Sequence, residues 1–277
     1  MAYVPVNIED AVARECRRRR YSDKTLKTYL GCIRKFLAHV KKGLDRISKR
    51  DARDFLGYLA EKDASGNTLN VYHMAIRFLL EDILNKSMKL NIRYSKVPEK
   101  LPVVLSKEEL NLLFSCIAND KHRLMCQMLY SAGLRVSELV NLRVKDIELD
   151  RNFGYVRAGK GNKDRLFILA ESLNGRIRGL IKSENLSHES YLFTSNRDGR
   201  YSTRSLQQII DLARKKAKIV KKIGCHTLRH SFATHLIENG YSVSDVQSLL
   251  GHKSPETTMV YLHTATKSML NIKSPLD

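Results

Sequence analysis

The sequence predicts a mainly α-helical protein of two domains, with a small β-sheet confined to the second. Three observations carry that expectation. The chain has 277 residues, enough to build two hydrophobic cores. Apolar residues recur at helical spacing through most of it. A two-proline stretch, YSKVPEKLPV at residues 94–103, breaks that periodicity with an extended connector, because proline restricts both itself and the residue before it. The expected division is a helical domain over residues 1–93, a linker over 94–103 and a second domain over 104–277.

In the first domain Leu26, Tyr29, Leu30, Ile33, Phe36 and Leu37 lie at helical spacing. Leu69, Tyr72, Met74, Ile76, Leu79, Leu80 and Ile83 do the same and define a last helix. Ser22 is placed to start the earlier helix, and Ser48 with Asp51 forms a capping-box pattern at the start of another. Gly66-Asn67 is expected to separate the last helix from the one before it, and no sheet is expected here.

The second domain opens with Ser106 and Glu109, a further capping-box pattern, ahead of a helix through Ile117. Another helix is expected over residues 122–131, and a third begins near Val136. Residues 153–157 and 165–169 read as two strands joined by Ala-Gly-Lys-Gly-Asn-Lys, a glycine-rich hairpin connector. Helices resume near Ser202 and continue almost to the end. Within them Gly251 marks a helix C-terminus, and Ser254-Pro255-Glu256 supplies an N-cap with proline at the next position. Tyr261 is thus expected near the end of a short helix.

Lys and Arg outnumber Asp and Glu by 49 to 29, giving a formal net charge of +20 and a pI near 9.8. Such an excess suits a polyanionic partner, nucleic acid first and an acidic membrane surface second. Residues 1–95 carry 20 basic and 11 acidic side chains and the remainder 29 and 18, so both domains share the charge. A solvated surface without a partner would show the same balance. No stretch approaches the roughly 18 uninterrupted apolar residues of a membrane span. The start, MAYVPVNIEDAV, has neither a basic leader with an apolar run nor a small-residue cleavage site, which predicts a cytoplasmic protein. Cys16, Cys32, Cys116, Cys126 and Cys225 are scattered and never spaced C-x-x-C, as expected of reduced and mostly buried thiols.

Four segments put a cation, an imidazole or a phenol beside a helix start or a tight turn: LRVSEL, GKGNKDR, HTLRH and LGHKSPETTMVY. Arg135 follows Ser-Ala-Gly-Leu and precedes a helix, where backbone N–H groups also favour an anion. Its other reading is an ion pair with Glu138. His226 and Arg229 are three residues apart, so a helix projects them from neighbouring positions. Cys225, His226, His230 and His235 could instead be read as a metal cluster, since His226 and His230 have the spacing of zinc helices. The Glu of HExxH is missing, however, as is an acidic cluster for magnesium. His230 and His235 are therefore read as structural. Lys160, in the expected hairpin turn, could donate a proton, pair with a phosphate or simply be solvated. GKGNKDR lacks the GxxxxGK[ST] pattern, so ATP is not indicated. Tyr261, with an unperturbed pKa near 10, becomes a nucleophile only where cations favour its phenolate; otherwise it is an amphipathic core residue. As a set these residues supply what phosphoryl transfer on DNA needs without a metal or other cofactor: two guanidiniums, a proton donor, imidazoles and a nucleophile.

The order and spacing of Arg135, Lys160, His226-Thr-Leu-Arg229, His252 and Tyr261 resemble the complete active-site set of the tyrosine recombinase (phage integrase) family. The boxes YSAGLRVSEL, GKGNKDR, HTLRHSFATHL, LLGH and the final Tyr span residues 130–261, and within the family they look most like the Xer type, including its archaeal single-protein form. Residues 1–93 resemble the family's helical, SAM-like core-binding domain in size and charge but carry no comparable box. Leu262 and Thr264 depart from the Thr and Val common beside the nucleophile in Xer proteins.

The resemblance implies that Tyr261 attacks a DNA phosphate to give a 3′-phosphotyrosyl link and a free 5′-hydroxyl. It further implies that Arg135 and Arg229 stabilise the transition state, Lys160 protonates the leaving oxygen, His226 assists at Tyr261 and His252 hydrogen-bonds the phosphate. The implied partners are double-stranded DNA with a specific recombination site and a homotetramer with two protomers per site, with room for an accessory activator. Residues 263–273 are a candidate segment for docking on a neighbouring protomer. Three roles compete within the enzyme class: resolving chromosome dimers, integrating or excising a mobile element, and relaxing supercoils. A noncatalytic DNA-binding regulator is the alternative outside it.

Overall fold

A computed structural model describes residues 7–86, 90–98, 101–157, 164–195 and 199–250 and divides the chain into two units, Met1–Glu99 and Lys100–Asp277. The first unit is helical: α1 (Ile8–Arg18), α2 (Asp23–Val40), α3 (Lys49–Glu61), α4 (Gly66–Arg77) and a π-helical turn, Phe78–Ile83, that continues α4. Ser22 Oγ accepts the Thr25 N–H at 3.1 Å. Ser48 and Asp51 cap each other reciprocally, with the Ser48 N–H donating to Asp51 Oδ2 at 2.8 Å. Each helix turns an apolar stripe inward, and Val12, Ile33, Phe36, Phe55, Ile76 and Leu79 meet in one buried core.

Gly66-Asn67 does not separate two helices. The break lies at residues 62–65, and Ser65 caps α4 by accepting the Thr68 N–H at 3.3 Å, which leaves Gly66 in the first turn. A serine side chain can satisfy an orphan helical N–H and a glycine cannot, so the cap sits one residue earlier than the glycine suggests. A Cβ on Gly66 would lie 2.6 Å from the Lys96 carbonyl oxygen, so the glycine admits the returning backbone instead of breaking the helix.

The second unit contains α5 (Lys107–Ser115), α6 (Asp120–Ser131), α7 (Val136–Asn141), β1 (Ile147–Glu148), β2 (Phe153–Val156), β3 (Arg165–Ile168), α8 (Glu171–Ser183), α9 (Thr203–Lys216), α10 (Cys225–Glu238) and α11 (Val243–Leu250). Ser106 and Glu109 form their capping box, although α5 stops at Ser115, short of Ile117. The expected hairpin is an antiparallel pair in which Phe153 faces Ile168 and Val156 faces Arg165. The two-residue β1, absent from the sequence reading, extends it to the order β1-β2-β3. Gly154 lies under the Phe167 ring, which a Cβ there would overlap.

The larger omission is α8. Gly175 and Gly179 weaken its helical propensity, yet Leu173 and Ile177 fall on one face and are buried against the core. Tertiary packing decides this element. At the centre is α10, buried around most of its circumference through Leu228, Arg229, Ser231, Phe232, Ala233, Thr234 and His235. Phe232 and Ala233 pack with Val246 and Leu250 of α11. Four free thiols, Cys16, Cys32, Cys126 and Cys225, are buried, and Cys116 is half-buried. No described helix is long and apolar enough to cross a membrane.

Candidate active site

The site is built outward from one turn. After α6 the chain reverses at Gly133, which has a φ of +57°, a region that costs an L side chain roughly 1–2 kcal/mol. A Cβ at Gly133 would also overlap the Phe232 ring of α10. Glycine there lets α10 approach the turn and aims the Gly133 carbonyl at α10, where the Arg229 Nη1–H donates to it. The turn delivers Arg135 to the N-cap of α7. Its backbone N–H donates to Glu138 Oε2 at 2.8 Å and its Nη1 to Oε1 at 2.7 Å.

The ion pair between Arg135 and Glu138 is thus real, and it is one edge of a larger cluster. Arg165, the first residue of β3, donates through Nη2 to Glu138 Oε2 at 2.5 Å and through Nη1 to the Leu249 carbonyl at 2.8 Å. Arg229 donates through Nη2 to the Leu250 carbonyl at 2.6 Å, and its Nη1 stands 3.9 Å from Glu138 Oε2. Guanidiniums from β3 and α10 therefore hold the Leu249 and Leu250 carbonyls of α11.

Among the described residues three guanidiniums surround one carboxylate, so this described cluster carries a formal surplus of positive charge. Side-chain exposure is 6% for Glu138, 4% for Arg229, 9% for Arg165 and 21% for Arg135. Burial works against the Glu138 carboxylate, and Arg165 and Arg135 more than reverse it, holding its pKa below the usual value. Burial also works against the Arg165 charge, with Glu138 opposing; the guanidinium stays protonated. Burying like charges together is costly unless an anion completes the site. Arg135 is the most exposed member of the cluster.

The structure thus brings Arg135 and Arg229, two of the six sequence-derived site residues, to the same carboxylate. His226 stands exposed in the first turn of α10, its ring 6.4 Å from that of His230. The His230 pKa is pushed down to about 4 by burial first and then by His226 and Arg229, so it is neutral at neutral pH. His235 is buried and hydrogen-bonded through Nδ1 to the Tyr130 hydroxyl at 2.8 Å. Lys160, His252 and Tyr261 lie outside the described residues, as do Leu262, Thr264 and the candidate docking segment 263–273. In the sequence, Lys160 stands five residues before Arg165, and His252 two residues after Leu250, the last described residue of α11. Among the described residues no three His, Cys, Asp or Glu side chains are grouped to share a metal ion.

Sequence reasoning missed Arg165 and treated Glu138 as the mundane partner of Arg135. The signal for Glu138 was its capping-box position, three residues after the helix-leading arginine. For Arg165 the signal was weaker: a charged residue opening an otherwise apolar strand.

Residues 103–268 match the phage integrase family, and residues 8–90 match the phage integrase N-terminal SAM-like domain. The chain is 33% identical over 243 residues to a tyrosine recombinase XerA of Pyrococcus horikoshii, covering 86% of this chain and 84% of that protein. It is 35% identical over 275 residues to a tyrosine recombinase XerD of Oceanobacillus iheyensis, covering 91% of each. Against the crystal structure of a XerA recombinase the TM-score is 0.57 at 30% identity, with 96% of this chain and 99% of that chain covered. A XerH site-specific recombinase bound to palindromic difH substrate gives a TM-score of 0.73 at 23% identity over 94% of this chain and 82% of that one, a likeness of fold alone.

Proposed function

Because the chain belongs to the phage integrase family of tyrosine recombinases, we propose that it is a site-specific DNA recombinase acting through a 3′-phosphotyrosyl intermediate. The observation that carries the proposal is the convergence of Arg135 and Arg229 on Glu138 with positive charge in surplus. Guanidiniums gathered in this way are suited to the charged oxygens of a DNA phosphate.

In this reading the Tyr261 oxygen attacks the scissile phosphorus and the 5′-oxygen departs with a proton from Lys160. Arg135 and Arg229 stabilise the nonbridging oxygens, His252 hydrogen-bonds the phosphate and His226 takes part in proton transfer at Tyr261. The new ester conserves the broken phosphodiester, so a 5′-hydroxyl from another strand can reverse the attack without ATP. Joining two duplexes then calls for four protomers in a closed ring, two per site, with or without an accessory activator. Resolution of chromosome dimers is the proposed role, supported by the Xer-named relatives that align across both domains.

The deciding experiment incubates the protein with a nicked suicide duplex carrying a candidate site, without divalent metal, and separates the products under denaturing conditions. A covalent adduct is expected with the wild type and none with Tyr261→Phe. A bound site that never yields an adduct points to a noncatalytic regulator or to an enzyme that needs an accessory activator, and an adduct still missing when host extract is added overturns the reading. A plasmid with two directly repeated sites tests the role: paired-site resolution is expected, whereas relaxation without any site would point to a topoisomerase.

A further inference from the structure

We propose that Arg165 is a positioning residue for this reaction, one that neutralises Glu138 so that this carboxylate does not draw Arg135 and Arg229 out of the positions from which they meet the DNA phosphate. The inference rests on the reading of Arg135 and Arg229 given above and goes beyond it to a residue outside the six.

An arginine opening a strand of a three-stranded sheet has an easy alternative, since its guanidinium can reach water. Arg165 does not take it. Its side chain is 9% exposed, and its Nε is buried with no hydrogen-bond partner among the described residues. Burying a guanidinium with one donor unsatisfied is costly, so the contacts that it does make must specify the conformation. They are the Glu138 carboxylate at 2.5 Å and the Leu249 carbonyl at 2.8 Å, with a longer bond from Nη1 to the Leu166 carbonyl at 3.4 Å.

Its effect is clearest from what would replace it. Glu138 Oε2 is shared between Arg165 and the Arg135 backbone N–H, and Oε1 takes Arg135 Nη1. The next cation is Arg229, 3.9 Å from Oε2 and held back by the Gly133 and Leu250 carbonyls. Without Arg165 a buried carboxylate loses its closest countercharge. It would recover one by drawing Arg229 inward or by engaging Arg135 more fully, and either move takes a guanidinium from the phosphate. Arg165 therefore acts by saturating a competitor for the two arginines.

This mechanism makes an electrostatic prediction that a merely structural role does not. The test measures single-turnover adduct formation at saturating protein on two suicide duplexes, one with an ordinary scissile phosphate and one with a methylphosphonate, in which a methyl group replaces a charged nonbridging oxygen. Arg165→Gln is expected to bind the duplex within about 3-fold of wild type and to lose about 100-fold in rate on the phosphate, the scale of one lost transition-state donor. On the methylphosphonate, where there is less charge to neutralise, its deficit relative to wild type should shrink to a few-fold. Arg165→Lys, which keeps a cation but cannot span both acceptors, should lose about 10-fold on the phosphate.

The second arm removes the competitor itself. Glu138→Gln in the Arg165→Gln background should raise the phosphate rate above that of Arg165→Gln alone, whereas two structural lesions would add. Circular dichroism and thermal melting establish that each variant folds; if Arg165→Gln does not, Arg165→Lys and the double variant carry the test. Equal deficits of Arg165→Gln on both duplexes, or additive losses in the double variant, overturn the inference. Arg135→Ala run in parallel separates the two levels. If it too is equally impaired on both duplexes, the assignment of Arg135 to phosphate charge falls; if it is relieved while Arg165→Gln is not, only the inference about Arg165 falls.

Discussion

Gly133 joins backbone geometry to chemistry in one residue. Its positive φ and the Phe232 ring beside it each disfavour a side chain, and its carbonyl is an acceptor for Arg229. Gly133→Ala is therefore expected to cost roughly 2–4 kcal/mol, combining left-handed strain with overpacking, and to lower adduct formation beyond what lost stability explains. Urea unfolding measures the first and single-turnover cleavage of the folded fraction the second; a cost under about 1 kcal/mol would mean that the turn relaxes. His230 yields a prediction of a different kind. With a folded-state pKa of about 4 against an ordinary 6.5, the unfolded chain takes up a proton that the folded chain refuses between those values. Stability therefore falls as pH drops from 6.5 towards 4, and the contribution is absent above 6.5. The ring is only half-buried, so screening should leave about 1–2 kcal/mol of this effect. His230→Gln should flatten the acid slope of a stability–pH curve, and a histidine resonance titrating near 6.5 at this position would contradict the assignment.

At the scale of elements, α8 shows where local signals and packing part ways. A Cβ at Gly175 or Gly179 would meet nothing within 4 Å, so both glycines sit on the open side while Leu173 and Ile177 hold the other side to the core. Alanine at either position should stabilise the protein by about 0.5–1 kcal/mol through helix propensity, read as a higher urea midpoint with an unchanged slope; destabilisation would mean that the open side is covered. The same contrast explains what was legible in the sequence. Helices that announce themselves by a cap and an amphipathic stripe, such as α2, α3 and α5, could be read directly, because both signals are local. The β2–β3 hairpin could be read as well, from two short apolar runs around a glycine-rich connector. By contrast, α8 is weakened by its glycines, β1 is too short to show a period, and Gly66 looks like a breaker while serving as a point of close approach. Arg135 and Arg229 were legible as candidates by spacing. Their meeting at Glu138, with Arg165 arriving from β3, depends on long-range packing that no local pattern records.

For the whole molecule the dominant physical fact is a net charge of +20, shared by both parts of the chain. That charge does not itself specify chemistry, since a noncatalytic DNA-binding protein would carry it equally well. Binding and catalysis should therefore separate cleanly under salt and under mutation. Affinity for a duplex is expected to fall steeply with ionic strength, losing roughly 10³–10⁵ between 50 and 200 mM salt if 6–10 phosphates are contacted. Tyr261→Phe removes one hydroxyl and no charge at neutral pH, so it should leave both the affinity and the slope of log affinity against log salt unchanged while abolishing the adduct. Parallel slopes with adduct formation confined to the wild type would place the grip on DNA in the distributed cations and the covalent step at Tyr261. A slope below about 3 would mean that few phosphates are engaged and that the surplus charge serves something other than DNA, whatever the chemistry at Tyr261 proves to be.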